Sequence, residues 1–172
     1  MLSIFIFTLA LTAHAQTIKW AEGDRLTWSD FKGRPNDNSP YFALTQAGIT
    51  YSYTVNYSDN NYALDFKIGC EFDKRLSWSI KEKQTPTLLQ HEQLHFDINE
   101  LFARKLAAIL KAKTYSANYK QEVSEVFAGI IDQIKEMQEK YDIETRHSMN
   151  REKQAEWEAV VKNEISKLPS YR

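Results

Sequence analysis

A chain of 172 residues with 42% hydrophobic and 26% charged side chains has the profile of one globular domain, long enough to bury a core. Its 22 Lys+Arg balance 23 Asp+Glu to a formal net charge of -1, so there is no net basic field to gather nucleic acid or anionic lipid. The five glycines form neither G-x-G-x-x-G nor G-x-x-x-x-G-K, which excludes the usual phosphate cradles, and the single cysteine, Cys70, has no partner for an intrachain disulfide.

Residues 2–12 are apolar and uncharged, and Ala13-His14-Ala15 follows as a small-x-small pattern before Gln16. This predicts a secretory signal peptide over 1–15, cleaved near Ala15-Gln16, and an exported protein, periplasmic or secreted. No later stretch approaches the roughly 20 apolar residues of a membrane span, so no transmembrane anchor is expected.

From 18 to about 84 the pattern is that of strands. Residues 34–40 read as a loop. Ile49, Tyr51, Tyr53, Val55 and Tyr57 alternate with small or polar residues, and Tyr62, Leu64, Phe66, Ile68, Cys70 and Phe72 alternate again beyond the turn at 58–61. If Tyr57 faces Tyr62, then 55 faces 64, 53 faces 66, 51 faces 68 and 49 faces 70. Both apolar sets then fall on one face of a hairpin, Cys70 among them as a small core residue. Asn56-Tyr57-Ser58 overlaps that strand and turn and is a chance glycosylation sequon.

From about 85 to 168 the pattern becomes helical. Thr85-Pro86 supplies a cap and a first-turn proline for a helix to about 112. A second stripe runs through Tyr119, Val123, Val126, Phe127, Ile130, Ile131, Ile134, Met137 and Tyr141. A third runs through Trp157, Val160, Val161, Ile165 and Leu168 before Pro169. With no linker between the two parts, residues 16–172 read as a single α+β domain, an N-terminal antiparallel sheet followed by a three-helix segment. The aromatic residues sit at core spacings and form no platform for nucleic acid.

The chemistry lies in the first helix, where His91-Glu92-Gln93-Leu94-His95 makes H-E-x-x-H. Imidazoles at i and i+4 leave one helical face and can hold one Zn²⁺, and Glu92, about 100° round the helix, can reach a water without ligating. The histidine face continues through Leu88, Ile98, Phe102 and Leu106. Buried there, two neutral imidazoles need partners, which a metal supplies to both; a structural histidine pair is the alternative.

Catalytic zinc takes three protein ligands and leaves one position open. The extended pattern H-E-x-x-H-x-x-G-x-x-H is absent, since positions 98 and 101 are Ile98 and Leu101. Two antiparallel helices of about 32 Å, at ~1.5 Å per residue, would return 141–147 to the side of His91 and His95. His147 is the one remaining histidine of the mature chain and the expected third ligand, with Glu144 and Asp142 as carboxylate alternatives. Asp142, Glu144 and Asp97 are also candidate acceptors for the imidazole N–H groups. Tyr141 is either a donor to an oxyanion or a buried tyrosine closing the second helix.

The blocks Leu26-Thr27-Trp28-Ser29-Asp30-Phe31-Lys32-Gly33, Ser77-Trp78, Leu89-x-His91-Glu92-Gln93-x-His95-Phe96-Asp97-Ile98, Tyr141-Asp142-x-Glu144-Thr145-x-His147 and Gln154-x-x-Trp157 together resemble a bacterial family of unknown function, domain of unknown function 922, catalogued as secreted zinc-dependent proteases. The resemblance spans nearly all of the mature chain and implies a zincin-like domain with His91, His95 and Glu92 in the zinc-site roles. The family pattern has glycine after its last histidine, where this chain has Ser148.

The expected function is a zinc metallopeptidase acting on a peptide or protein substrate, in which Glu92 deprotonates a water whose pKa the metal lowers toward ~7 and then protonates the leaving amine. An exposed sheet edge would orient an extended peptide. Two other readings remain open: a zinc amidase acting on cell-wall peptide, and a non-catalytic, zinc-stabilised envelope binding module.

Overall fold

In the computed structural model, which describes residues 16–36, 38–58 and 61–171, five strands precede three helices. They are β1 (Thr17–Lys19), β2 (Ala43–Leu44), β3 (Ala47–Ser58), β4 (Asn61–Asp73) and β5 (Trp78–Ser79), then α1 (Pro86–Ala112), α2 (Tyr119–Thr145) and α3 (Arg151–Ser166). The chain is thus α+β, an antiparallel sheet followed by helices within one domain. The signal peptide expected over 1–15 lies outside the described residues.

The period-2 alternation fixes the main sheet. β3 and β4 pair with Ile49 opposite Cys70, Tyr51 opposite Ile68, Tyr53 opposite Phe66, Val55 opposite Leu64 and Tyr57 opposite Tyr62, the register in which every apolar side chain shares one face. β1 adds to the other edge of β4, giving the order β1-β4-β3. Burial falls along this hairpin from base to tip: Cys70 and Phe72 are fully buried, Tyr51, Tyr53 and Tyr62 pack against aromatic rings of α2, and Val55 and Tyr57 stand exposed. A second, two-stranded sheet, β2 with β5, was not foreseen. Gly33 ties the loop before β2 to the connection between β4 and β5: its N–H donates to the Ser77 carbonyl at 2.7 Å, and a Cβ there would lie 2.7 Å and 2.8 Å from the carbonyl oxygens of Arg75 and Ser77.

α1 begins as predicted, with the Thr85 side chain accepting the Leu88 N–H and Pro86 at the first position. It is the central element, packed on β3 and β4 on one side and on α2 and α3 on the other. Its buried stripe includes Leu88, Ile98, Phe102 and Leu106. Burial on several sides also encloses polar groups, which must then find partners. Gln93 Oε1 accepts the Leu26 N–H at 2.8 Å. Glu100 pairs with Arg104 at 2.9 Å, and Arg104 Nη1 donates to the carbonyl of Ile165 in the last turn of α3 and to that of Leu168 just beyond it.

α1 and α2 are each 27 residues long and run back to back, so the C-terminal turn of α2 arrives beside the first turns of α1. The third helix departs from its expected stripe at Val160, which is 51% exposed while Trp157, Val161 and Ile165 are buried. A 16-residue helix touching α1 with one narrow face needs only the i, i+4, i+8 positions. No helix of the described residues is long and apolar enough to cross a membrane.

Candidate metal centre

His91 and His95, one turn apart on α1, direct their rings toward the end of α2, where Asp142 meets them. His91 Nε2 lies 3.0 Å from Asp142 Oδ1 and 3.1 Å from His95 Nε2, and His95 Nε2 lies 3.0 Å from the same carboxylate oxygen. The two imidazole planes stand at 89° to each other. Among the described residues, these three form the group of candidate ligands whose donor atoms all lie within 4.8 Å of one another.

The opposite edges of the rings determine the tautomers. His91 Nδ1 meets Gln154 Oε1 at 3.3 Å, and the Gln154 amide nitrogen is committed to Glu158 at 3.0 Å. His95 Nδ1 meets Gln138 Oε1, and the Gln138 amide nitrogen is committed to the His95 carbonyl at 2.9 Å. Each glutamine therefore presents an acceptor to an Nδ1–H, the edge that carries a hydrogen in the Nδ1-H tautomer and in the charged ring alike, which leaves each Nε2 as the atom facing the triangle. The Tyr141 hydroxyl completes the bracing by donating to Gln154 Oε1 at 2.7 Å and to the His91 carbonyl at 3.2 Å, while its ring stacks on His91.

Two lone pairs and a carboxylate oxygen about 3 Å apart repel unless a positive charge lies among them. Burial works against charge on His95, yet Asp142, with help from Glu92 and Gln138, raises its pKa above the ordinary imidazole value. Burial likewise opposes ionisation of Asp142, but the two imidazoles hold its carboxyl far below the usual carboxylate range.

The spacing suits zinc. With edges of 3.0–3.1 Å, two imidazole nitrogens and one carboxylate oxygen would be close enough together to hold one small divalent cation, and they are donor types that zinc takes.

Glu92 is 3% exposed, and its Oε2 has no hydrogen-bond partner among the described residues. A carboxylate oxygen buried without a donor is costly and is the arrangement expected of a group that acts on a ligand. Its backbone carbonyl accepts the Thr45 hydroxyl at 3.1 Å, which ties the segment leading from β2 to the same turn of α1.

The other residues singled out in the sequence fall into two sets. Glu144 accepts from Trp157 Nε1 at 2.9 Å and faces Lys140, so it braces α3 and does not join the triangle. Asp97 accepts from Trp20 Nε1 at 2.7 Å and Gln93 Nε2 at 2.9 Å, so it pins the N-terminal arm to α1 and bonds to neither imidazole. The Tyr141 hydroxyl is spent on Gln154 and His91, and burial pushes its pKa far above the ordinary phenol value. That matches the second of its two expected roles, a buried tyrosine closing α2.

His147 stands just outside the triangle. Arg146, His147 and Ser148 have φ of 50°, 49° and 75°, three successive left-handed non-glycine residues that cost about 1–2 kcal/mol each. The turn is held by His147 N–H to the Asp142 carbonyl at 3.0 Å and Asn150 N–H to the Thr145 carbonyl at 2.7 Å. Its course places His147 Nδ1 3.6 Å from Asp142 Oδ1 with the side chain 47% exposed and the ring against Tyr41. Of the three candidates for the third position, Asp142 is the one whose oxygen lies within 4.8 Å of both imidazole nitrogens. Gln138 and Gln154 were missed as imidazole acceptors; Gln154 stood in a recognised block without a role.

A family model described as bacterial protein of unknown function (DUF922) matches residues 18–148. No curated protein and no solved structure matches the chain.

Proposed function

The chain belongs to the DUF922 family of bacterial proteins of unknown function, and we propose that it is an exported zinc-dependent hydrolase that cleaves amide bonds in peptides. The observation that carries this reading is the convergence of His91 Nε2, His95 Nε2 and Asp142 Oδ1 beside a buried glutamate with an unpartnered oxygen. His91, His95 and Asp142 would hold the ion. When bound, it polarises the substrate carbonyl and makes water acidic enough to ionise near neutral pH.

The chain's own groups do the rest. Gln138 and Gln154 fix the imidazole tautomers, and Tyr141 fixes Gln154. Glu92 takes a proton from the attacking water as the water oxygen bonds to the carbonyl carbon and the carbonyl π pair moves onto its oxygen. On collapse the C–N bond breaks, Glu92 returns the proton to the leaving nitrogen, and the products are a carboxylate and an amine. Burial keeps Glu92 pointed at the reacting atoms and away from bulk water. The signal peptide predicted from the sequence supports export.

Mature protein assayed on casein-derived peptides and on muropeptides should contain about one zinc per chain and cleave in a chelator-sensitive manner. Glu92→Gln should keep the zinc and lose activity by about 10²–10⁴-fold, the usual range for general acid–base catalysis. A Glu92→Gln variant as active as wild type, or wild-type protein that holds no metal, would overturn the proposal.

A further inference from the structure

The strained turn at 146–148 serves no obvious need of the fold. Joining α2 to α3 requires a left-handed residue after Thr145, which glycine supplies without strain; this chain instead uses Arg146, His147 and Ser148, all at positive φ. The turn is over-determined by its surroundings: Thr145 is buried and donates to the Tyr141 carbonyl at 2.7 Å, and Asn150 both closes the turn and caps α3 by accepting the Lys153 N–H at 3.2 Å. Its result is to place one imidazole at the rim of the ligand triangle, Nδ1 3.6 Å from Asp142 Oδ1, packed on the Tyr41 ring at 4.8 Å between centroids.

That position is too far from the triangle for a ligand in this conformation, and too well held for an idle surface side chain. Strain preserved in this way marks sites where a side chain must be aimed. Glu92 approaches the triangle from α1, and His147 approaches it past Asp142, from the far end of α2. A substrate carbonyl set between them would turn its carbon toward the water that Glu92 deprotonates and its oxygen toward His147.

We propose that His147 is a catalytic residue, a hydrogen-bond donor to the carbonyl oxygen of the scissile amide, held in place by Tyr41 and the left-handed turn. This rests on the hydrolase reading above and adds to it the group that stabilises the developing oxyanion. The imidazole Nδ1–H donates as the carbonyl π pair moves onto oxygen; no proton is transferred, and none is needed, because Glu92 carries the proton from water to the leaving nitrogen. A donor already aimed at the oxygen stabilises the transition state more than the ground state, so its loss falls on kcat.

The test uses wild type, Glu92→Gln, His147→Ala and His147→Asn, each analysed for zinc content, for the visible absorption of the cobalt-substituted protein, and for kcat and KM on a casein-derived peptide that wild type cleaves. Asparagine tolerates left-handed φ, and its Nδ2 stands near the place of the imidazole Nδ1. The expected result is that His147→Ala keeps one zinc and a wild-type cobalt spectrum, loses kcat by about 10²–10³-fold and changes KM by less than about 3-fold, while His147→Asn recovers at least tenfold of the lost kcat. A lost zinc or an altered cobalt spectrum in His147→Ala would make His147 a ligand and overturn the proposal. An unchanged kcat, or an effect on KM alone, would overturn it equally. Wild type without zinc, or an active Glu92→Gln, would bring down the hydrolase reading, and this inference with it.

Discussion

Asp142→Asn separates the two carriers of the third-ligand role by stability alone, without a substrate. The substitution keeps the shape of the side chain and removes the charge that lies 3.0 Å from both Nε2 atoms. Loss of one of three ligands should exceed the 10–100-fold cost of losing a group that only orients a ligand, so zinc affinity should fall by at least about 10³-fold. Free zinc at 100 times the wild-type Kd adds about 2.7 kcal/mol of folding stability, and a variant bound 10³-fold more weakly gains almost nothing at the same concentration. For a domain of this size about 2.7 kcal/mol is worth about 5–11 °C of Tm. Thermal melts of wild type, Asp142→Asn and His147→Ala with buffered zinc and with chelator should show that shift in wild type and His147→Ala and not in Asp142→Asn. The converse pattern would refute the assignment of Asp142.

The same melts in chelator carry a pH dependence whose sign follows from the two shifted groups. The Asp142 carboxyl is lowered, so its contribution is present above its unfolded pKa of about 3.9 and is lost as pH falls through the folded value. The His95 pKa is raised, so its contribution is complete below about 6.5 and is lost as pH rises through the folded value. The metal-free wild type should therefore exceed Asp142→Asn in stability most between about pH 4 and 6.5, and the gap should narrow on both sides; a gap that widens above neutrality would contradict the pairing.

Three further substitutions probe the scaffold. Gly33→Ala drives a methyl against two backbone carbonyls and should cost about 1–3 kcal/mol in denaturant unfolding, with no loss expected only if the β4–β5 connection can shift. Burial raises the Asp97 pKa against the hydrogen bonds from Trp20 and Gln93, so Asp97→Asn should change neutral-pH stability by less than about 1 kcal/mol, whereas Asp97→Ala strands two buried donors and should cost about 2–3 kcal/mol; equal costs would contradict that reading. Ser148→Gly should raise stability by up to about 1 kcal/mol, relief of the left-handed strain exceeding the entropy glycine adds to the unfolded chain, and a lower Tm would show that φ of 75° is not strained there.

The hairpin register was legible because a slip of one residue would turn the apolar set from Ile49 to Phe72 to the opposite face of the sheet, away from the helices. The start of α1 was legible from Thr85-Pro86, and the return of α2 to His91 from the matched lengths of two helical stripes. Strands of two residues such as β2 and β5 carry no periodicity to read. Asp97 was ambiguous because its partner Trp20 comes from an arm 77 residues away. The choice between Asp142 and His147 turns on the handedness of 146–148, and neither Arg146, His147 nor Ser148 announces a positive φ as glycine would. Gln138 and Gln154 look like ordinary polar helix residues; only their burial against the imidazoles gives them a role.

In the proposed zinc site two imidazoles and one carboxylate are ligands, with Glu92 beside them and not among them. Zinc-edge X-ray absorption of the purified wild-type protein counts those ligands directly. The structure predicts two imidazole rings in the scattering, nitrogen and oxygen neighbours at about 2.0–2.1 Å, and the same ring count in His147→Ala. Three imidazoles in wild type, falling to two in His147→Ala, would contradict it.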